Sequence, residues 1–272
     1  MTMATTVAPH RLTLTAGEFA FLVAKLGVSL PPEWEPAPEI ATGAEGDALV
    51  GKGVFTGSGD LLKVHPSVES NLRVLAAPKI MFDTTATAGT RGSRSLHALA
   101  GPVGASLFML PDGGVELSMF TAVDLGRELV RAVPAEVSEG IGSALDDPEG
   151  VEPLRGSVPL AALHELGVAD LLREGDPDAP AYVLAELKLP EAEAKFATEV
   201  VRRTDGLLRC LVTALVGDGV RTAQVTWLHT DAGWVGVAPS ATGSERKLVD
   251  LTPVAREDLG VWLTPFVAEA LA

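Results

Sequence analysis

The segment Gly46-Asp47-Ala48-Leu49-Val50-Gly51-Lys52-Gly53 has the glycine and lysine spacing of a phosphate-binding loop. In such a loop backbone N–H groups cradle phosphates, the lysine reaches the outer ones, and the next Ser or Thr ligates magnesium. Gly53 stands where that hydroxyl is needed and no strand precedes the motif, so nucleotide chemistry is not expected. The histidines at 10, 65, 97, 164 and 229 fall in separate segments. None has the H-x-x-x-H or acidic neighbours that build a zinc site, which favours structural roles. Ser58, Ser93 and Ser106 have glycines nearby but not in the G-x-S-x-G frame of a strained nucleophile elbow. A triad scattered through the sequence has no positive support, although geometry rather than order defines one. Asp112 and Asp231 sit at matching turn positions, where bonding to the backbone is sufficient explanation.

Cys210, the single cysteine, lies inside the apolar run Leu207 to Val216. An intramolecular disulfide and a cysteine-rich metal site are therefore excluded, and the residue reads as a small buried hydrophobe. Arg91 and Arg94 stand out, because they lie in Ala86–Arg94, which has no apolar residue larger than alanine and reads as an exposed, mobile loop. Two cations on a loop of an acidic protein suit either a solvated loop or a contact site. Trp34, Trp227, Trp234 and Trp262 fall mostly on periodic segments, which favours core packing over a ligand platform.

The remainder of the chain must position these groups. Its 272 residues carry 36 acidic and 21 basic side chains, for a net charge of −15, which opposes nucleic acid and anionic membrane surfaces as partners. With 47% hydrophobic residues and a mean hydropathy of +0.26 the chain is globular, yet no run approaches the ~18 apolar residues of a membrane span. Met1 to Leu12 has no apolar stretch of a signal peptide, so a cytoplasmic location is expected.

Along the chain, Arg11–Leu14 reads as a strand and Thr15-Ala16-Gly17-Glu18 as a capping box that opens a helix through Phe19, Leu22, Val23 and Leu26 to a stop at Gly27. Asp47–Phe55 reads as a short helix, and His65-Pro66-Ser67 introduces another with Val68, Leu72 and Leu75 on its apolar side. Strands follow over Lys79–Thr84, Leu96–Leu99, Val103–Leu110 and Val115–Phe120. Helices are expected over Ser157–Leu172, with Leu160, Leu163, His164 and Leu171 on one stripe, and over Pro190–Val201. Leu207–Val216 and Val220–His229 read as strands joined across Gly217-Asp218-Gly219.

One pattern is stated twice. Leu107–Leu117 and Thr226–Val237 each read as strand, tight turn, strand, and each precedes a helix that starts at a threonine, Thr121 or Thr252. The expectation is an antiparallel α+β protein with a pseudo-two-fold duplicated unit: one domain over 1–272, with halves about 11–133 and 157–271. The acidic, Pro- and Gly-containing stretch 134–156 reads as the linker between them.

Taken in order, Thr15-Ala16-Gly17-Glu18-Phe19 with Leu22 and Gly27, His65-Pro66 followed by Leu72-Arg73-Val74-Leu75-Ala76-Ala77-Pro78, and Arg203-Thr204-Asp205-Gly206 through Trp227 and Gly233-Trp234 resemble the EspG family of type VII (ESX) secretion-associated proteins. The resemblance implies a central antiparallel sheet flanked by helical bundles. It implies a cytosolic chaperone that binds the hydrophobic tip of a helical secretion substrate, PE–PPE-like or WXG100-like, and directs it to the secretion machinery. No cofactor, metal or catalysis is implied. By position, the client contacts would come from an early-strand loop, Gly89, Thr90, Arg91, Gly92, Ser93 and Arg94, and from second-half helices carrying Leu160, Leu163, Leu171 and Phe196. That loop is short and the helical region compact. An uncharacterised hydrolase with dispersed catalytic residues and a structural scaffold are the alternatives, and whether the free protein forms a homodimer is left open.

Overall fold

A ten-stranded antiparallel sheet is the frame on which every other element is placed. The computed structural model describes residues 11–37, 44–56, 63–135, 151–241 and 247–271. In chain order the elements are β1 (Arg11–Leu14), α1 (Ala16–Leu26), α2 (Glu45–Gly51), β2 (Phe55–Thr56), β3 (Lys63–Val64), α3 (Pro66–Ala76), β4 (Ile80–Ala88), β5 (Arg91–Ala100), β6 (Val103–Met109), β7 (Val115–Thr121) and α4 (Leu125–Arg131). Then come β8 (Gly156–Pro159), α5 (Leu160–Leu171), α6 (Ala179–Leu187), α7 (Glu191–Arg203), β9 (Thr204–Val216), β10 (Gly219–Thr230), β11 (Gly233–Pro239), β12 (Leu248–Val254) and α8 (Leu259–Leu271). The proposed linker lies mainly outside the described residues, and so do His10 and Ser58.

Local chemistry sets the helix ends. The Thr15 hydroxyl accepts from the Glu18 amide at 3.2 Å while the Glu18 carboxylate accepts from the Thr15 amide at 2.7 Å, which closes the capping box that opens α1. Gly27 then ends it at φ 59°, in the left-handed region that glycine enters without strain. Pro66 opens α3, where His65 Nδ1 accepts from the Ser67 amide at 3.3 Å. Lys52, the lysine of the phosphate-loop-like motif, instead closes on the buried Glu18 at 2.6 Å. Burial opposes the Glu18 anion, but Lys52 and the Thr15 bonds outweigh it and lower its pKa.

Strand order is β1-β7-β6-β5-β4-β9-β10-β11-β12-β8. On either side of the β4–β9 seam a four-strand meander runs outward to an edge strand that entered first, β1 or β8, so the connectivity of one half repeats in the other. The two hairpins that match in sequence are not equivalent in this order. β6–β7 are the third and fourth strands of their meander, whereas β10–β11 are the second and third of theirs. Shared turn chemistry, not shared position, accounts for the likeness. Asp112 accepts from the Gly114 amide in one turn, while in the other Thr230 accepts from the Ala232 amide and Asp231 is taken by Arg203.

Other sequence expectations are corrected by sheet pairing. Thr252-Pro253 does not open a helix but lies in β12, whose Val249 and Leu251 are buried. Pro253 is tolerated there because β8 pairs only with Leu248 to Leu251, leaving that side of β12 without a neighbour. Ser157 likewise belongs to edge strand β8, so the helix expected from Ser157 starts at Leu160. Helix α6 was not legible as a separate element.

The register fixes the faces. Arg94, Thr85, Arg209, Thr226, Val237 and Leu251 pair successively across six strands and so stand in one row on one face. On this front face α1 and α3 cover the first-half strands, burying Leu22, Leu72, Leu75, Leu96 and Leu107, and α5 and α7 cover the outer second-half strands, burying Leu166, Val200, Val235 and Leu251. On the back face α4 and α8 close over the centre, burying Phe82, Leu129, Leu208, Trp227 and Leu263. These two helices meet where Gly126 and Gly260 are close enough that a Cβ on Gly260 would lie 3.3 Å from the Gly126 Cα.

Candidate functional site

The front face is therefore covered at both ends and open in the middle. Along β9 the even positions Leu208, Cys210, Val212 and Ala214 point into the back core, while Leu207, Arg209, Leu211, Thr213 and Leu215 face the open side. Thr85 and Thr87 of β4 and Thr222 and Gln224 of β10 are exposed beside them. The result is a trough floored by β4, β9 and β10, with α1 and α3 toward one side and the second-half helices toward the other. Leu207 and Leu215 remain 44% and 51% exposed on this floor, toward its two ends. At one end a depression of about 370 Å³ is lined by Leu30, Pro31, Pro78, Met81, Thr213 and Leu215.

The second-half helices carry a further apolar surface. α5 buries Ala162, Leu166 and Ala169 on its core side, yet Val168, Leu171 and Leu172 are exposed on the opposite side, Leu171 at 84%. A short helix that is apolar on both faces has one face without a partner. α6, packed on α5, adds Tyr182, which is 68% exposed. Of the expected contact residues here, Leu171 is on that surface. Leu160 and Leu163 are half-buried against the second-half core, and Phe196 is half-buried with its ring closing over Gly156. His164 is exposed rather than on the buried stripe. Val168, Leu172 and Tyr182 were missed, although the i, i+3, i+4 spacing of Val168, Leu171 and Leu172 could have marked them.

The expected early-strand loop is a two-residue turn. β4 and β5 pair in register from Ile80–Leu99 to Ala88–Arg91, leaving only Gly89 and Thr90 in the turn, while Arg91, Gly92, Ser93 and Arg94 are strand residues. Small residues mislead here because Ala86 and Ala88 are core positions, buried in the back core. Gly89 adopts φ 56° and donates to the Asp205 carbonyl, which ties the turn to β9. The Ser93 hydroxyl donates to the Ala132 carbonyl. Arg94 has a packing role after all: its guanidinium lies 4.7 Å from the Trp34 ring centroid and 3.1 Å from the Glu33 carboxylate.

Groups with chemical potential are occupied structurally. Burial pushes the Cys210 thiol up to about 12, far from a reactive thiolate. His97 is fully buried, and burial lowers its pKa to about 3, so it is neutral, with Nε2 3.0 Å from the Ser95 hydroxyl. Ser106 and Ser118 both face the buried Glu128 carboxylate, which also receives Arg131 Nη1 at 2.7 Å. His229 Nδ1 lies 2.5 Å from Asp205 beside the Trp234 ring. Among the described residues no three His, Cys, Asp or Glu side chains converge as a metal site would need, and no helix is long and apolar enough to cross a membrane.

Comparison with known proteins follows the same geometry. No curated protein matches the sequence significantly. Fourteen chains among solved structures match. One is in the structure of the Mycobacterium tuberculosis type VII secretion system chaperone EspG5 in complex with the PE25–PPE41 dimer. It aligns with 12% identity and a TM-score of 0.62 over 96% of both chains, a likeness of fold. The family model of the EspG family matches residues 15–264, and the chain belongs to the EspG family.

Proposed function

We propose that this protein is a non-enzymatic chaperone of type VII secretion, working in the cytoplasm, that holds the apolar tip of a helical PE–PPE-like client until export. The observation that carries this reading is the open trough on the front face together with the exposed apolar side of α5 and α6. EspG5, which shares the fold, is in complex with the PE25–PPE41 dimer. A client tip seated in the trough would bury Leu207, Leu211 and Leu215 beneath it, with Val168, Leu171, Leu172 and Tyr182 at its flank. At roughly 25 cal/mol per Å² of apolar surface, such burial drives association, while polar groups at the rim fix orientation. The net charge of −15 disfavours acidic partners and selects a neutral or basic tip. Buried serines and a thiol held near 12 support a role without covalent chemistry.

A tagged full-length chain used to capture partners from its own cytosol, with mass spectrometry of what stays bound, tests the proposal. Enrichment of a small helical heterodimer of PE–PPE type, lost with Leu171→Asp and Val168→Asp, is the expected result. A preparation that retains no helical secretion substrate at moderate salt overturns it.

A further inference from the structure

We propose that Asp83 and Arg209, on the floor of the trough, read the two helix ends at a client's hairpin tip: Arg209 takes the free carbonyls that close one helix and Asp83 the free amides that open the next. This rests on the chaperone reading above.

Asp83 lies on β4 and Arg209 on β9, and both point to the open face. Asp83 pairs with Leu211 and Thr85 with Arg209, so the two charges are diagonal neighbours about 7–8 Å apart at Cα. Adjacent helices in a hairpin pack about 8–10 Å apart. At its tip each helix leaves unpaired backbone groups, carbonyls at one end and amides at the other, with the matching partial charges. The spacing and signs of the floor fit that pattern. Of the two arginines that face Asp83, Arg94 is held by Trp34 and Glu33, whereas Arg209 is exposed and makes no ion pair among the described residues. Leu207 and Leu211 flank it on the same strand face. Burial opposes the Asp83 anion, while the buried Trp34 indole N–H beside it, Arg94 and Arg209 favour it. The cluster is therefore a charged, half-buried group on an otherwise uncharged floor, with Leu207 and Leu211 beside it.

The test uses the full chain and the PE–PPE-type heterodimer retained in the capture experiment, expressed recombinantly, with affinity measured calorimetrically at two salt concentrations. Arg209→Gln and Arg209→Glu are expected to weaken binding about tenfold and more than tenfold, with unchanged melting temperature because Arg209 is exposed. The exchange Asp83→Arg with Arg209→Asp restores a charge pair but inverts its polarity, so it is expected to bind as weakly as the single variants. Wild-type affinity in Arg209→Glu, or recovery in the exchange, overturns the inference while binding lost in Leu171→Asp leaves the chaperone reading standing. Absence of any binding by the unmodified chain overturns both.

Discussion

The two ends of the front face are built on the same connectivity and finished differently. In the first half α1 and α3 spend their apolar residues inward: Leu22, Leu72 and Leu75 are fully buried, and Trp34 and Phe55 seal the layer. In the second half α5 divides its apolar residues between two faces and α6 has no fully buried residue among its nine. Among the described residues, the first-half layer gathers 18 buried hydrophobics and the second-half layer nine. One helical layer is a lid for the sheet and the other presents a surface. The same connectivity can thus carry a filled helical layer in one half and a sparsely buried one in the other.

The largest expected effect tests the seam that makes the halves one body. Gly206 of β9 lies directly against the Thr87 carbonyl of β4, so a Cβ there would collide with backbone. Gly206→Ala is expected to abolish soluble folded protein, seen as loss of a cooperative thermal transition. Gly104→Ala and Gly236→Ala, on the third strand of each meander, meet only the rings of Phe120 and Trp262. Those rings can shift, and both variants should fold with reduced stability. Next comes the comparison itself. Leu72→Ala in α3 is expected to cost about 2–5 kcal/mol by emptying a closed core, whereas Leu171→Ala should stay within about 0.5 kcal/mol. Denaturant midpoints of the two variants sharpen the contrast, and similar losses would break it.

A further asymmetry is in acid. His97 of β5 is buried and neutral with a pKa lowered to about 3 by desolvation, with a smaller contribution from the Arg131 charge. A depressed folded-state pKa means that stability is fully present above the unfolded value of about 6.5 and is lost as pH falls toward 3. Melting temperature is therefore expected to decline below about pH 6, and His97→Leu to flatten that decline. His229 of β10 faces the Asp205 carboxylate instead, and His229→Gln should leave the acid limb in place.

Much of this frame was legible in the chain. The Thr15 box, the Gly27 stop, the Pro66 start and the Gly217-Asp218-Gly219 hairpin depend on nearest neighbours, and the structure places them where the sequence does. What depended on distant strands was not. Ala86 and Ala88 look like loop because smallness is read as exposure, yet β9 makes them core. Thr252-Pro253 looks like a helix start until β11 pairs with it. The trough follows from the crossing at β4–β9, which brings residues 126 positions apart, such as Thr84 and Cys210, side by side. Leu171 was expected among the client contacts and is exposed, whereas Leu160 and Leu163, read on the same stripe, are half-buried against the second-half core, because an apolar stripe does not state whether its partner is the sheet or another protein.

Smaller effects separate maintenance from use. Thr15→Ala removes the cap that sets α1 and is expected to cost about 1 kcal/mol without touching client affinity. Asp83→Asn should do the opposite in both respects. Burial raises the Asp83 pKa, against the lowering influence of Trp34, Arg94 and Arg209. A carboxylate whose folded-state pKa lies above its unfolded value is penalised when ionised, so its cost is present near neutral pH and vanishes as pH falls below about 4, where it is protonated in both states. Asp83→Asn is therefore expected to raise the melting temperature slightly at pH 7, to lose that gain at pH 4, and to bind client more weakly at pH 7. Paired scans of melting and binding across pH decide the matter. A variant both more stable and equally good at binding would mean that the charge on the trough floor has no role in recognition, whereas opposite signs would mean that the trough floor keeps an unfavourable charge because a client uses it.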